Sequence, residues 1–303
     1  MKVFVTGVNG QLGFDVLREL SKRGYEAVGS DAADCSSFTM PKNISSAVYM
    51  KMDITDEKAV GEAIESVNPD AVIHCAAWTA VDLAEDEDKK EKVYAVNVTG
   101  TKNVAAAAKK AGAKLLYVST DYVFGGDGTA PRTPDDTSFA PLNYYGRTKL
   151  EGEMAVSSAL DRFFIVRTAW VFGSNGNNFI KTMIKVGRSH DTVRVVNDQI
   201  GTPTYTVDLA RLLADMIGTE KYGYYHATNE GGYISWYDFC VEFYKQYGLN
   251  TKVIPVSTQE YGLSKAARPA NGRLDKSKLV KEGFRPLPVW QDAVKRFLEE
   301  ADL

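Results

Sequence analysis

Tyr145 and Lys149 stand four residues apart in Tyr145-Gly-Arg-Thr-Lys149, which on a helix puts a phenol and an ammonium on one face, within reach of the same ligand. A free tyrosine titrates near pH ~10 and is a sluggish acid–base catalyst at neutrality, whereas a neighbouring ammonium stabilises the phenolate and lowers that value. Lys149 is therefore expected to tune Tyr145 as a proton donor. A hydroxyl at the end of an adjacent strand would complete such a site by holding a substrate carbonyl. Thr120 in Val118-Ser119-Thr120-Asp121-Tyr122 is correctly placed. Ser119 competes, but alternation along a strand sends the two side chains opposite ways, so only one faces the site. Tyr144 has Thr148 four residues on, and Tyr261-Gly-Leu-Ser-Lys265 repeats the spacing with no cofactor loop or strand-end hydroxyl beside it.

The loop Gly7-Val-Asn-Gly10-Gln11-Leu12-Gly13 follows a short apolar run at the very start of the chain and opens a helical pattern. Its glycines let the backbone turn tightly and approach a pyrophosphate, which then rests on amides at the positive end of the helix. Asp31 follows the second strand, 18 residues after Gly13, where a carboxylate would accept hydrogen bonds from an adenosine ribose. That placement favours NADH, with NADPH as the alternative. A 2′-phosphate would face the charge, and Ala32-Ala33-Asp34-Cys35-Ser36 offers no arginine to neutralise it. Asp53-Ile54, after a third short strand, is placed for the adenine edge. Ala76 and Ala77, after a fourth, permit close approach of the cofactor.

These residues need a scaffold, and the first half supplies one. Lys2-Thr6, Glu26-Gly29, Ala71-His74, Leu115-Ser119 and Phe163-Arg167 read as strands; Gln11-Arg23, Asp56-Ser66, Glu91-Ala111 and Tyr145-Ser157 read as helices between them. Such alternation predicts an α/β fold with a doubly wound parallel sheet, Rossmann-like, over residues 1–168. Beyond about residue 168 the alternation loosens and Gly, Asn and aromatic residues become more frequent. Residues 169–303 are expected to form a smaller α/β substrate lobe, partly interleaved with the first domain.

Composition narrows the partners. Of 303 residues 44% are apolar, enough for a substantial core, and the net charge of −3 gives no electrostatic reason to expect nucleic acid or an anionic membrane. No apolar stretch approaches the ~20 residues of a membrane span. Lys2-Thr6 reads as a working strand rather than a leader, so nothing is expected to be cleaved and the protein is expected in the cytoplasm. Cys35, Cys75 and Cys240 form no metal-ligand spacing, and neither do His74, His190 and His226. The acidic run Glu85-Asp-Glu-Asp88 reads as a solvated helix face. The expected partner is a small molecule.

With Thr6-Gly-x-x-Gly-x-x-Gly13, Ser119-Thr120 and Tyr145-x-x-x-Lys149 in that order, the chain resembles the extended short-chain dehydrogenase/reductases. Gly10-Gln-Leu-Gly13, Ala80-Val-Asp82, Ser119-Thr-Asp-Tyr-Val-Phe124, Arg167-Thr-Ala-Trp170, Gly176-Asn-Asn-Phe179, Asp198-Gln-x-Gly-x-Pro-Thr204 and Arg268-Pro269 are similar to the dTDP-4-dehydrorhamnose reductase branch. The resemblance implies NAD(P)H-dependent reduction of the 4-keto group of dTDP-4-dehydro-L-rhamnose, with Tyr145 protonating the forming alkoxide. It further implies that Thr120 aids the carbonyl, Asp121 contacts substrate, Lys149 also holds the nicotinamide ribose, and Trp170 lines the sugar pocket. Family members that bind Mg²⁺ between subunits use carboxylates from the first helix, from just after the Pro-Thr segment and from the C-terminal helix. Here those positions carry Asp15, Val207 (next to Asp208) and Glu300, so no metal and not that dimer are expected; monomer or homodimer stays open. Two other readings remain. One is another nucleotide-sugar reductase or epimerase; the other is a non-catalytic regulatory subunit resembling the methionine adenosyltransferase β subunit.

Overall fold

The computed structural model describes residues 1–34, 48–301 and 303. Cys35 and Ser36 lie outside these residues. In the first half β1 (Lys2–Thr6), β2 (Glu26–Asp31), β3 (Val48–Lys51), β4 (Ala71–His74), β5 (Lys114–Thr120) and β6 (Phe163–Thr168) alternate with helices α1 (Gln11–Lys22), α2 (Glu57–Val67), α3 (Glu87–Tyr94), α4 (Thr101–Lys110) and α5 (Tyr144–Ala159). The second half adds β7 (Val171–Phe172), α6 (Phe179–Gly187), β8 (Thr192–Val196), β9 (Ile200–Gly201), β10 (Thr204–Tyr205), α7 (Thr206–Ile217) and β11 (Gly223–His226). It closes with β12 (Ile234–Ser235), α8 (Trp236–Tyr247), β13 (Lys252–Val256), α9 (Thr258–Tyr261), α10 (Ser277–Lys281) and α11 (Trp290–Glu300).

Seven strands form one sheet in the order β3-β2-β1-β4-β5-β6-β11, and every pairing is parallel. Both faces must then be covered, which explains why β4 is buried along its whole length. Alternation along β1 shows the division: Val3 and Val5 pack with Val16 and Leu17 of α1 and Leu209 and Leu213 of α7, whereas Phe4 packs with Val60 of α2, Val104 of α4 and Val156 of α5. Each such apolar side chain contributes roughly 1.5–3 kcal/mol on burial. Strand order reverses between β1 and β4, so a crevice opens at their carboxyl ends, where this class of sheet binds ligands.

The chain beyond β6 does not stay apart. It returns β11 to the sheet edge beside β6 and lays α7 against α1. Its own core is aromatic, with Phe172, Phe239, Phe243, Trp290 and Phe297 in contact, and β8 pairs with β13 beside it. The helix expected at Glu91–Ala111 starts earlier, at Glu87, and is widened by a π-turn over Ala95–Gly100. The widening accompanies a buried side chain, Asn97, which accepts from the Trp78 amide at 2.8 Å and donates to Thr148 Oγ1 at 3.0 Å. Helix α5 starts where it does because Asn143 caps it, accepting from Gly146 N at 2.7 Å.

Candidate active site

One cavity of about 790 Å³ lies over the β1/β4 crevice, and every residue singled out from the sequence for cofactor, catalysis or substrate lines it. Gly7, Gly10, Gln11, Leu12 and Gly13 form its floor. Gly7 sits at φ +73°, and a Cβ there would meet Ala76 N at 2.6 Å; one on Gly13 would meet Gly7 O at 2.2 Å. The loop is thus folded to a shape that admits no side chain at positions 7 and 13, leaving the first amides of α1 open to an anion. The cradle fits a dinucleotide pyrophosphate. The Gln11 side chain has a further place: its Oε1 accepts from Gly173 N and Asn178 Nδ2, both at 3.0 Å, which ties the loop to the segment before α6. Asp31 accepts from Asn9 N at 3.1 Å and Ala33 N at 3.4 Å. Asp53 is held by the amide and hydroxyl of Thr55 at 2.9 and 2.8 Å, while Ile54, Ala76 and Ala77 form apolar wall.

Helix α5 and strand β5 bring the chemistry together. Tyr145, Lys149 and Thr120 are all buried, and the Thr120 hydroxyl lies by the Tyr145 phenol while donating to Asp121 Oδ1 at 3.0 Å. Ser119 donates to Glu153 Oε1 at 2.5 Å, so strand alternation and this bond engage its hydroxyl away from Thr120. The ionisation differs from the sequence expectation. Burial raises the Tyr145 phenol well above its usual range; the Thr120 hydrogen bond opposes this and Asp121 adds to it. The Lys149 amine donates to Val118 O at 2.8 Å and lies 4.0 Å from the centre of the Tyr117 ring. Burial lowers Lys149 itself to about 7, with Glu153 and Cys75 resisting. The resting phenol therefore keeps its proton.

Asp121 receives the Thr120 hydroxyl on Oδ1 at 3.0 Å, while its buried Oδ2 has no partner, and burial pushes the carboxyl up to about 7. Trp170 adopts φ +49°, a left-handed conformation unusual for a bulky residue, and stacks on Trp236 with ring centres 3.8 Å apart. Trp236, Phe179 and Asn178 join the same cavity wall. Asn178 and Phe179 fall in the Gly176–Phe179 motif without a role assigned to them, and Trp236 was missed, since only tertiary packing brings it against Trp170. Sequence reading also missed Glu153, although Tyr145, Lys149 and Glu153 recur every fourth residue on one helical face.

The rejected candidates have structural places. Gly262 ends α9 in the left-handed conformation, so Tyr261 and Lys265 share no helix; Lys265 pairs with Asp86 at 2.6 Å. His74 is buried between the Thr6 and Thr101 hydroxyls, at 2.7 and 3.1 Å, and burial pushes it down to about 3. In the acidic run, Glu85 accepts the Tyr144 amide at the start of α5. Asp15 and Glu300 are bridged by Arg18, 3.1 Å from Asp15 Oδ1 and paired with Glu300, and Asp208 is held by Arg296 at 2.7 Å and Asn229 at 2.8 Å. Among the described residues no group of three His, Cys, Asp or Glu could hold a metal ion. A cation of the protein's own stands between the two carboxylates, and the donor set does not fit a divalent metal.

A parallel sheet whose reversal point carries a glycine loop, with a threonine and a Tyr-x-x-x-Lys pair over the same cavity, defines an NAD(P)-dependent oxidoreductase of the short-chain dehydrogenase/reductase class. The family model described as the RmlD substrate binding domain matches residues 1–303. The spore coat polysaccharide biosynthesis protein SpsK of Bacillus subtilis is 36% identical, over 99% of this chain and 97% of its own length. The dTDP-4-dehydrorhamnose reductase of Streptomyces griseus is 38% identical, over 96% of this chain and 90% of its own. A crystal structure of dTDP-4-dehydrorhamnose reductase from Bacillus anthracis in complex with NADP superposes with a TM-score of 0.88 at 38% identity, covering 99% of each chain. The chain belongs to the RmlD family, that of the dTDP-4-dehydrorhamnose reductases.

Proposed function

We propose that the chain reduces the 4-keto group of dTDP-4-dehydro-L-rhamnose to the alcohol of dTDP-L-rhamnose, with Tyr145 as proton donor. The observation that carries this reading is the convergence of Thr120, Tyr145 and Lys149 on the cavity that the glycine loop floors. A reduced nicotinamide supplies hydride to the carbonyl carbon when bound. Thr120 holds the carbonyl oxygen, and Tyr145 gives that oxygen its proton, so C=O becomes CH–OH. Lys149 stabilises the phenolate left behind and holds the nicotinamide ribose. The unpartnered Oδ2 of Asp121 takes a sugar hydroxyl, and Trp170 with Trp236 walls the ring from water. Asp31 gives NADH preference over NADPH, because a 2′-phosphate would face its carboxylate.

The test follows the ultraviolet absorbance of NADH, then NADPH, with the keto sugar nucleotide generated in place. Stoichiometric oxidation that falls roughly 10²–10⁴-fold in Tyr145→Phe, with cofactor affinity retained, is expected. Cofactor bound but never consumed would overturn the reductase reading and leave an internally redox-neutral epimerase or a regulatory subunit. A faster rate with NADPH would overturn the role of Asp31.

A further inference from the structure

Glu153 and Arg167 form an ion pair with side chains 2% and 1% exposed, buried one helical turn beyond Lys149. The pair is bidentate: Arg167 Nε donates to Oε1 at 2.9 Å and Nη2 to Oε2 at 2.7 Å. Taking two charges out of water costs several kcal/mol per ion, and well-packed apolar residues often serve stability as well, so packing alone does not account for this pair. Its orientation is fixed from all sides. Ser119 donates to Glu153 Oε1, Arg167 donates to Pro134 O at 3.2 Å, and the guanidinium lies about 5 Å from the Phe124, Phe139 and Tyr224 rings. The cluster fixes one carboxylate on the face of α5 that also carries Tyr145 and Lys149, one helical turn beyond the lysine.

The groups around Lys149 make that carboxylate decisive. From the end of β4 come His74 and Cys75, from β5 Tyr117, from α5 Tyr145 and Glu153, and Arg167 of β6 stands behind Glu153. Burial keeps His74 uncharged by lowering it to about 3, keeps the Cys75 thiol protonated by raising it to about 12, and raises both phenols. Glu153 is the carboxylate left to face the ammonium. We propose that Glu153 is a positioning residue for the reaction: oriented by Arg167 and Ser119, it holds Lys149 in its ammonium form beside Tyr145. The proposal rests on the reading of Tyr145 and Lys149 given above.

Two variants test it, since Glu153→Gln alone strands a buried guanidinium and risks misfolding. The double variant Glu153→Gln/Arg167→Met removes both charges and keeps an unbranched chain among the Phe124, Phe139 and Tyr224 rings. Circular dichroism and cofactor fluorescence titration establish folding and binding, and kcat/KM for the cofactor is measured against pH. An opposite charge one helical turn away raises a lysine by roughly one to three units, so the alkaline limb is expected to move to lower pH by that amount in each folded variant. A limb that stays at its wild-type position overturns the assignment of Glu153 and leaves the Tyr145–Lys149 pair standing. A limb that also survives in Lys149→Gln overturns both.

Discussion

A buried ammonium gives up its proton more readily than a solvated one, and a buried phenol holds its proton more tightly; both effects act in opposite directions on Tyr145 and Lys149. Tyr145 is thereby kept as a donor, and Lys149, lowered to about 7, becomes the group whose charge is at stake near neutrality. The charged lysine is the form that can stabilise a nascent phenolate. For kcat/KM with respect to cofactor, which reports the free enzyme, activity is therefore expected to be full below pH 7 and to fall about tenfold per unit above it. A profile flat to pH 9 would mean that the lysine keeps its proton through contacts stronger than those described. Spacing along one helix singled out the tyrosine and lysine as candidates, and one strand offered Thr120 with Ser119 as its competitor. Their ionisation was not legible, since desolvation depends on what the rest of the chain lays over them.

At the scale of elements, the glycine loop shows what local sequence can and cannot specify. Positions 7, 10 and 13 announce a strand–turn–helix, and the backbone approach of Gly13 to Gly7 explains why no side chain fits. What Gln11 does was hidden, because its partners Gly173 and Asn178 lie over 160 residues away in the loop before α6. Strands β1, β2, β4, β5 and β6 were readable within one or two residues at each end, since parallel strands buried on both faces are short apolar runs. The two-residue strands of the second lobe were not, since β7, β9, β10 and β12 are each defined by a neighbour rather than by a pattern. Gln11→Ala removes two accepted hydrogen bonds worth about 1 kcal/mol each, so cofactor affinity is expected to weaken roughly five- to thirtyfold while the fold persists. Cofactor fluorescence titration measures it, and an unchanged dissociation constant would show that the second lobe does not support the loop.

Over the whole molecule, α1, α11 and the start of α7 converge on a polar cluster. Thr206 donates to Asp15, Arg18 joins Asp15 to Glu300, and the Tyr205 hydroxyl donates to Glu300. With an internal guanidinium supplying the positive charge, removal of divalent ions by a chelator is expected to leave turnover and unfolding unchanged. The cluster still carries a titration. Burial raises Asp15 to about 6, against the pull of Arg18 and the Thr206 hydrogen bond. Its folded value exceeds its unfolded value of 3.8, so the native state binds the extra proton between the two: the stability this contributes is present in full below pH 4 and is lost as pH rises through 6. A shift of that size corresponds to up to about 3 kcal/mol. Asp15→Asn cannot titrate, so urea unfolding of the two proteins should show the variant gaining on the wild type from pH 4 to pH 7. Parallel stability profiles would mean that Arg18 and the hydrogen bond from Thr206 already compensate the buried charge in full, and that the cluster is indifferent to pH.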